Sequence, residues 1–417
     1  RDCPSSVLHV FHKEQFVEAY LLPSMSGPFK RRASLKKPVA LGLVKSAATR
    51  RRSSVTALAP IPQVQQDVPW DLLERCFVPV LFCHASAVVI SYTLSVLRIW
   101  QVTAFSLFIW FTIVMLGVVL FYHNLKISIV GKAVLITGCD SRIGSALARV
   151  LDDLGFTVFA GFQNAVDNPV ADELKEESSG RLHILQLDVS SETQILAASL
   201  YATAHLPDGA DGLWAVIHAA SWIALGEIEW IPVEVIRKAT DTNFLGATRL
   251  MQVMLPLVRR AKGRIVLVTS GLSRVASPVR GVHCALQAAL EAEAVCLRQE
   301  LKPRGVDVIV VAPGEYSSGS SWLTEESIRE QAREMWENLM EEQRLEYGEE
   351  YFEAAVRSLE KYTKSKDADL SPALRALSDS VIRTFPLQRY TPISRQEKLQ
   401  AIIASYFPRS VYDIIYS

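Results

Sequence analysis

The sequence predicts an α/β fold in which helices cover both faces of a doubly wound parallel sheet, preceded by an apolar helical hairpin. Three observations lead to this prediction. Short apolar runs alternate with helical stretches from Gly131 onward. The first run, Ala133–Ile136, ends in a glycine turn, and a helical pattern, Ser145–Leu154, follows that turn directly. Alternation of this kind indicates right-handed βαβ units.

Length and composition exclude several classes of protein. The 417 residues have room for one large domain with additions. The 44 acidic and 44 basic residues cancel, so no global field indicates a nucleic acid partner. The six cysteines have neither metal-ligand spacing nor a paired framework, which is typical of a reducing compartment, and we expect no metal site.

Residues 1–70 lack a sustained apolar periodicity, and we expect most of them to form a disordered basic tail. Nine Lys or Arg residues and no Asp or Glu lie between Pro28 and Gln66. Three interpretations stay open: a solvated tail, a segment similar to a mitochondrial presequence, and a polybasic patch on anionic lipid.

Two apolar runs follow, Phe77–Leu97 and Ala104–Tyr122, and neither contains an acidic residue, a lysine or an arginine. Each approaches the ~20 residues that cross a bilayer. We favour a membrane-spanning hairpin over residues 77–122, with a buried helical hairpin as the alternative, because both runs are apolar on every face. The preceding basic segment predicts that the N-terminus, and therefore the domain after the hairpin, faces the cytosol.

Alternating strands and helices are predicted after the hairpin. The strands are Ala133–Ile136, Thr157–Gly161, Leu182–Leu187, Leu213–Ile217, Arg264–Thr269 and Val306–Val311. The helical stretches between them include Glu192–Ala204, Val233–Val258 and Gly281–Leu301. We expect residues 131–320 to form a dinucleotide-binding domain.

The turn after the first strand has the chemistry of a phosphate cradle. Thr137 and Gly138 form a sharp turn, and Gly144 opens the next helix, so unpaired backbone N–H groups and the helix dipole converge there. The ligand of such a sheet binds at the carboxyl ends of its strands. Residues at those ends are Gly138, Asp188, His218, Ala219, Ala220, Ser270, Pro313 and Gly314.

Several segments are similar to one protein family. They are GKAVLITGCDS at 131–141, GFTVFAG at 155–161, LQLDV at 185–189, LWAVIHAA at 213–220, TNFLGATRLMQVMLPLVRRAKGRIV at 242–266 and PG at 313–314. The chain thereby resembles short-chain dehydrogenases/reductases, in the branch of 3-hydroxybutyrate, retinol and membrane-bound 11β-hydroxysteroid dehydrogenases. The resemblance implies a Rossmann-type fold. MWENL at 335–339 and YGEEYF at 347–352 resemble that branch's substrate-covering helices, so residues 321–417 are expected to hold these helices, over Ile328–Tyr362, and a C-terminal extension.

The resemblance also implies roles for individual residues. Asn243 would support the active-site water and lysine, and Ser270 would bond the substrate oxygen. The implied cofactor is a nicotinamide dinucleotide, with NAD favoured over NADP, and homo-oligomers would form through the helices Val233–Val258 and Gly281–Leu301. The implied cofactor-binding residues are Gly138, Asp140, Ser141, Arg142, Ile143, Gly144, Asp188, Val189, Ala219, Pro313 and Gly314.

The catalytic pair departs from the family pattern. The family places Tyr and Lys one helical turn apart, so that the ammonium lowers the pKa of the phenol that exchanges a proton with the substrate. The aligned positions here hold His283 and Gln287. Histidine can transfer protons near neutral pH, but glutamine supplies no cation. His283 is therefore either a replacement acid/base or a remnant in a disused pocket.

Two further positions depart from the pattern. Arg142 replaces the middle glycine of the phosphate turn, where it either grips a phosphate or is a solvated residue at the start of a helix. Ile217-His218-Ala219-Ala220 replaces the family's Asn-Asn-Ala-Gly, and His218 is interpreted as packed or solvent-touching rather than catalytic.

Two functions therefore stay open. The first is a membrane-anchored oxidoreductase for an apolar alcohol or ketone, such as a steroid, a retinoid or another lipid. The second is a catalytically inactive member of the family that senses a nucleotide or lipid, or serves as an interaction scaffold. The expected location is the endoplasmic reticulum membrane with the domain in the cytosol, and a mitochondrial membrane is the alternative.

Overall fold

The computed structural model describes residues 70–275, 278–314, 324–360 and 369–416. Apart from Trp70, the predicted basic tail lies outside the described residues. Every described residue belongs to one compact unit, Ile61–Ser417.

The two apolar runs form the helices α1 (Trp70–Val96) and α2 (Ala104–Asn124), which pack against each other. Thr103 caps α2 by accepting a hydrogen bond from the amide of Ser106 at 3.3 Å. The segments Arg75–Val96 and Ala104–Asn124 are long and apolar enough to cross a membrane, with mean hydropathies of 1.8 and 2.5. Almost none of the residues in these segments are buried in the protein, so the alternative of a buried hairpin is wrong.

A seven-stranded parallel sheet forms the centre of the domain, and its strand order is β3-β2-β1-β4-β5-β6-β7. The fold class predicted from the sequence is thereby confirmed. Only β7 was not predicted, because two residues are too short for a periodic pattern. The strands are β1 (Ala133–Thr137), β2 (Thr157–Phe162), β3 (Leu182–Gln186), β4 (Leu213–His218), β5 (Arg264–Val268), β6 (Asp307–Val311) and β7 (Arg389–Tyr390).

Helices flank the sheet and extend beyond it. Those between the strands are α3 (Arg142–Leu154), α4 (Pro169–Glu177), α5 (Glu192–Ala204), α6 (Val233–Thr240), α7 (Gly246–Arg260) and α8 (Gly281–Leu301). Those after β6 are α9 (Glu325–Asn338), α10 (Glu341–Tyr347), α11 (Glu349–Glu360), α12 (Ser371–Ile382), α13 (Arg395–Tyr406) and α14 (Arg409–Tyr416). The helices α5 and α8 have the bounds that the sequence predicted.

The stretch predicted to be helical, Val233–Val258, is helical throughout, but it is not one regular α-helix. A π-helical turn, Asp241–Leu245, separates α6 from α7. At Gly246, the first residue of α7, an added Cβ would lie 2.9 Å from Cγ2 of Val189. The wide turn and the glycine together allow α7 to approach the end of β3, and π-helical turns are frequent at functional sites.

The sheet buries both of its faces, as a parallel sheet requires. Ala133 and Leu135 of β1 belong to the core cluster that α5, α7 and α8 cover. Val134 and Ile136 belong to the opposite cluster, which α3, α4 and α12 cover. The alternation along β1 follows the two-residue repeat of a strand. Because all strand pairs are parallel, the carboxyl ends of the strands lie at one edge of the sheet.

Candidate active site

The turn between β1 and α3 is built by close backbone contacts. Gly138 has a φ of +74°, and an added Cβ there would lie 2.6 Å from the backbone of Ala220. An added Cβ at Gly144 would lie 2.3 Å from the carbonyl oxygen of Gly138. Ser141 caps α3, since its hydroxyl accepts from the amide of Gly144 at 3.1 Å and donates to the carbonyl of Gly138 at 2.8 Å. The turn therefore requires glycine at both positions and sets the N-terminus of a 13-residue helix at the end of β1.

The residues inside this turn differ in exposure. Arg142 is the first residue of α3 and its side chain is exposed, whereas Ile143 packs against the core. Cys139 is buried, and burial raises the pKa of its thiol, so the thiol stays protonated at neutral pH. Cys139 therefore contributes packing. Both interpretations of Arg142 stay predictions.

Two carboxylates border the loop that follows β2. Oδ2 of Asp140 accepts from the backbone amide of Gln163 at 2.7 Å. Oδ1 of Asp188 accepts from the amide and the hydroxyl of Ser190 at 2.8 and 2.7 Å. The Gln163 side chain lies 3.5 Å from the other oxygen of Asp188, and Val189 is buried beside Asp188. This edge of the cleft is ordered by hydrogen bonds and carries negative charge.

The ends of β1 and β4 are joined through Thr137 and His218. Oγ1 of Thr137 accepts from the amides of Ala219 and Ala220 at 3.3 and 3.4 Å and lies 3.2 Å from Nδ1 of His218. Because those two amides supply protons, the hydroxyl proton of Thr137 is left for Nδ1. Burial lowers the pKa of His218 to about 4, so the ring is neutral at physiological pH. His218 is therefore a packed histidine, as the sequence indicated.

Asn243 lies within the π-helical turn and is buried. Its side-chain oxygen accepts from the amide of Trp222 at 2.9 Å, and its side-chain nitrogen donates to the carbonyl of Trp222 at 2.5 Å. In this arrangement Asn243 holds the loop that follows β4. The role implied by the resemblance, support of a water and a lysine, stays a prediction.

The ends of β5 and β6 hold Ser270, Pro313 and Gly314. Ser270 is half-buried and precedes a short 3₁₀ turn, Gly271–Ser273. The amide of Gly271 donates to the carbonyl of Pro313 at 2.8 Å, which fixes the two strand ends to each other. An added Cβ at Gly314 would lie 2.8 Å from a carboxylate oxygen of Glu397 in α13. The C-terminal helices therefore contribute a carboxylate to this turn.

His283 and Gln287 lie one turn apart near the start of α8, and both are buried. Within the described parts of the chain, Nδ1 of His283 and Oε1 of Gln287 are buried without a hydrogen-bond partner. Burial, with a smaller contribution from the charge of Arg280, lowers the pKa of His283 to about 4. At neutral pH this face of α8 therefore presents an uncharged imidazole and an uncharged amide, each with an unsatisfied polar atom.

Two acidic residues near the strand ends were missed by sequence reasoning. Glu291 lies one turn beyond Gln287, and its Oε1 accepts from Thr269 at 3.2 Å and from Ser273 at 2.6 Å. Glu397 lies against Gly314, as described above. The spacing of 283, 287 and 291 was a usable signal for Glu291. No local pattern could have indicated Glu397, because a later helix brings it to the site.

An apolar cluster covers the α8 side of the cleft. It combines Trp222 and Trp230, from the loop after β4, with Met335 and Phe352, from α9 and α11. Tyr347 of α10 and Tyr351 of α11 tie their helices to the loop after β4 by donating to Glu229 and Glu227, each at 2.8 Å. Val282 and Leu286, which flank His283 along α8, pack into the same cluster.

Comparison with known proteins places these features in a family. The family model for short chain dehydrogenases matches residues 132–328. Mouse D-beta-hydroxybutyrate dehydrogenase, mitochondrial, is 36% identical over 288 residues, which cover 69% of this chain and 84% of that protein. Mouse estradiol 17-beta-dehydrogenase 2 is 33% identical over 285 residues, covering 68% and 74%. Human short-chain dehydrogenase/reductase family 9C member 7 is 31% identical over 295 residues, covering 70% and 91%.

A solved structure with the same fold is a short-chain dehydrogenase from Streptomyces avermitilis. It aligns with a TM-score of 0.52 and 20% sequence identity, covering 68% of this chain and 95% of that one. At this identity the likeness concerns the fold alone.

Proposed function

The chain belongs to the short-chain dehydrogenase/reductase family, and from that premise we propose that it is a membrane-anchored oxidoreductase for an apolar alcohol or ketone. The observation that carries the proposal is the apolar cluster, which packs onto α8 on both sides of His283. A steroid, a retinoid or another lipid would be held against the partly buried members of this cluster, Trp222, Leu286 and Trp336, by burial of its apolar surface. The hairpin α1–α2 would keep the cleft close to the membrane in which such a substrate dissolves.

The residues of the cleft fit a nicotinamide dinucleotide at its phosphate and adenosine ends. The close glycine turn and the N-terminus of α3 suit a pyrophosphate, with Asp140, Ser141, Arg142 and Ile143 around it. Asp188 and Val189 would hold the adenine, and Ala219, Pro313 and Gly314 would lie along the nicotinamide half. A nicotinamide held by these residues would supply the hydride acceptor for oxidation of an alcohol.

Charge at the adenosine edge supports NAD over NADP. Asp140 and Asp188 border the loop after β2, and residues 163–168 add Asp167 but no lysine or arginine. A 2′-phosphate at this edge would meet carboxylates without a compensating cation.

In this proposal the protein's own residues transfer one proton, the hydroxyl proton of the substrate alcohol. Ser270 would hold the substrate oxygen, and His283 would accept the hydroxyl proton as an alcohol becomes a ketone, then release it to water. Because burial lowers the pKa of His283 to about 4, the imidazole is neutral at pH 7 and can act only as a weak base, and its protonated form is scarce at that pH. A reduction would need that protonated form as the proton donor, so the residues present suit oxidation better than reduction.

One observation favours a second candidate function, that of a dinucleotide-binding protein without turnover. Gln287 carries no charge, and a base with a pKa of about 4 is weak at neutral pH. Loss of general acid–base catalysis alone costs a factor on the order of 10²–10⁴. A nucleotide sensor, a lipid sensor or an interaction scaffold would tolerate this loss.

One set of measurements on the purified full-length protein separates these candidates. Calorimetry with NADH and NADPH measures binding, and absorbance at the nicotinamide band measures oxidation of steroid and retinoid alcohols. Under the oxidoreductase proposal, His283→Phe abolishes turnover but keeps NADH binding, and the neighbouring Cys284→Ala keeps both. NADH binding without turnover of any substrate would favour the second candidate, and absence of binding would contradict the dinucleotide site itself.

The proposed location is the endoplasmic reticulum membrane with the domain in the cytosol. The mitochondrial alternative has support from the name of the hydroxybutyrate dehydrogenase relative. Protease treatment of intact, fractionated organelles tests both points. We expect the domain to be digested in intact microsomes, whereas protection of the domain would contradict the proposed orientation.

A further inference from the structure

A cavity lies outside the candidate active site, between α8, the edge of the sheet formed by β6 and β7, and the start of α1. Its volume is about 520 Å³. Four arginines line it, Arg75, Arg274, Arg298 and Arg389, together with a single acidic residue, Glu291. The lining residues therefore carry an excess of three positive charges. We call this feature the arginine cavity.

Two of the four guanidinium groups are held without being neutralised. Arg75 donates to the carbonyl oxygens of Phe385 and Pro386 at 3.0 and 3.2 Å. Arg298 donates to the carbonyls of Val308 and Gln388 at 2.9 and 3.1 Å. A carbonyl acceptor fixes the position of a guanidinium group but, being neutral, does not neutralise its positive charge. Burial lowers the pKa of Arg298, which reflects the cost of holding that charge away from water.

The other two arginines share one carboxylate. Arg389 donates to Glu291 at 2.9 Å, and Nε of Arg274 lies 3.7 Å from the second oxygen of Glu291. The lining of the cavity therefore carries excess positive charge on guanidinium groups, which suits a phosphate group.

The position of the cavity indicates where that phosphate comes from. Arg75 is the first residue of the first candidate membrane span, and α2 ends the second span on the same side as the domain. Tyr122 of α2 contacts the ring of Phe385, with centroids 5.3 Å apart, and Arg383 donates to the carbonyl of His123. Segment 385–389 thus joins the ends of both helices to the wall of the cavity, at the depth where lipid headgroups would lie.

We propose that the arginine cavity binds the phosphate headgroup of an anionic phospholipid in the leaflet that faces the domain. This inference rests on the proposed membrane anchor. Apolar surface beside the cavity, including Val295, Leu387 and the half-exposed Phe385, would meet the upper part of the acyl chains. Free phosphate would satisfy the same guanidinium groups but would gain nothing from that apolar surface or from the membrane position.

The test uses the full-length protein in phosphatidylcholine nanodiscs that contain a minor fraction of phosphatidic acid. Native mass spectrometry measures the enrichment of phosphatidic acid among the lipids that stay bound. We expect clear enrichment of phosphatidic acid on the parent protein, and a decrease of about fivefold in that enrichment for Arg274→Gln. For Glu291→Gln we expect the enrichment to increase, because this change removes the competing negative charge but keeps an acceptor for Thr269 and Ser273. Arg357→Gln is the matched control, because Arg357 also pairs with a glutamate at 3.7 Å but lies on the exposed face of α11. It should leave the enrichment unchanged.

The outcomes separate this inference from the membrane anchor. Extraction of the protein from membranes by alkali would overturn the anchor itself. Retention in the membrane with equal binding of phosphatidic acid and phosphatidylcholine, or with enrichment that Arg274→Gln does not alter, would overturn only the headgroup site. Complete displacement of phosphatidic acid by inorganic phosphate, with binding of that phosphate in detergent that depends on Arg274, would overturn the lipid as its source.

Discussion

The two ends of the candidate cleft differ in how their polar atoms are satisfied. At the β1–α3 end, the Ser141 hydroxyl and the Asp140 carboxylate each make two hydrogen bonds within the protein. At the α8 end, His283 and Gln287 each keep a buried polar atom without a partner among the described residues. The polar groups of Ser141 and Asp140 are thus satisfied within the protein, whereas those of His283 and Gln287, like Nε2 of His218 at the end of β4, have buried atoms without a partner among the described residues.

From this difference we predict that the proposed dinucleotide site and the proposed proton-exchange positions can be altered independently on one scaffold. In the proposed function the glycine turn would recognise phosphate through main-chain groups, and its geometry depends on the packing that also stabilises the fold. The α8 end depends on two side chains on one helical face, which can change without disturbing the sheet. The predictions below test this separation, from the largest expected effect to the smallest.

The largest effect is expected when the tyrosine and lysine of the family are restored at positions 283 and 287 of α8. We expect the double variant His283→Tyr/Gln287→Lys to raise turnover with an apolar alcohol by on the order of 10²-fold, because a lysine lowers the pKa of the phenol and makes it an efficient proton acceptor. Steady-state rates with NAD measure the effect. Each single variant is the control, and NADH affinity should change little. A double variant that folds and binds NADH but does not exceed the parent rate would show that the positions are misaligned.

Glycine-to-alanine changes in the first turns of α3 and α8 should have different effects on stability and on NADH binding. Gly144→Ala places a Cβ 2.3 Å from the carbonyl oxygen of Gly138, and overpacking against backbone costs about 2–3 kcal/mol of unfolding free energy. We expect NADH binding to be lost as well. The matched variant Gly281→Ala meets nothing within 4 Å among the described residues and should leave both quantities unchanged. Denaturant titration and calorimetry measure them, and equal effects of the two changes would contradict the comparison.

Acid should destabilise the domain through its two buried neutral histidines. Burial lowers the pKa of His218 and of His283 to about 4. Between pH 6.5 and pH 4 the unfolded chain binds protons that the folded chain does not, so stability falls as the pH falls. Each histidine should contribute a loss of about 2 kcal/mol between pH 7 and pH 5.

Denaturant titrations at the two pH values measure this loss. His283→Gln should remove about half of the pH dependence, while replacement of the exposed His205 by Gln should not alter it. A variant with undiminished pH dependence would indicate that His283 is charged in the folded state.

The smallest expected effect concerns the choice of cofactor at the adenosine edge. Asp140→Asn removes one negative charge near the loop after β2 but keeps an acceptor for the amide of Gln163. We expect NADPH affinity to rise about tenfold, or about 1.4 kcal/mol, with NADH affinity nearly unchanged. Asp153→Asn, on the exposed part of α3, is the control. Calorimetry measures the affinities for NADH and NADPH. An equal change in both affinities would indicate that Asp140 does not lie near the ribose.

The sequence was sufficient for the elements whose burial follows a local period. The helices α5 and α8 and the strands β1 to β6 were predicted close to their observed bounds, because apolar residues recur along the chain with the repeat of the structure they form. The π-helical turn at Asp241–Leu245 and the strand β7 escaped prediction. The first interrupts an otherwise helical pattern, and the second exists only through its pairing with β6.

By itself, the sequence determined the α/β class, the glycine turn, the two apolar helices and the identity of the residues at positions 283 and 287. The tertiary structure alone decided which polar atoms find partners, that both buried histidines are neutral, and that Arg75, Arg274, Arg298 and Arg389 line one cavity. The physical reason is distance along the chain. Periodicity records what each residue does with its near neighbours, whereas hydrogen-bond partners, desolvation and charge depend on atoms that folding brings together from remote segments.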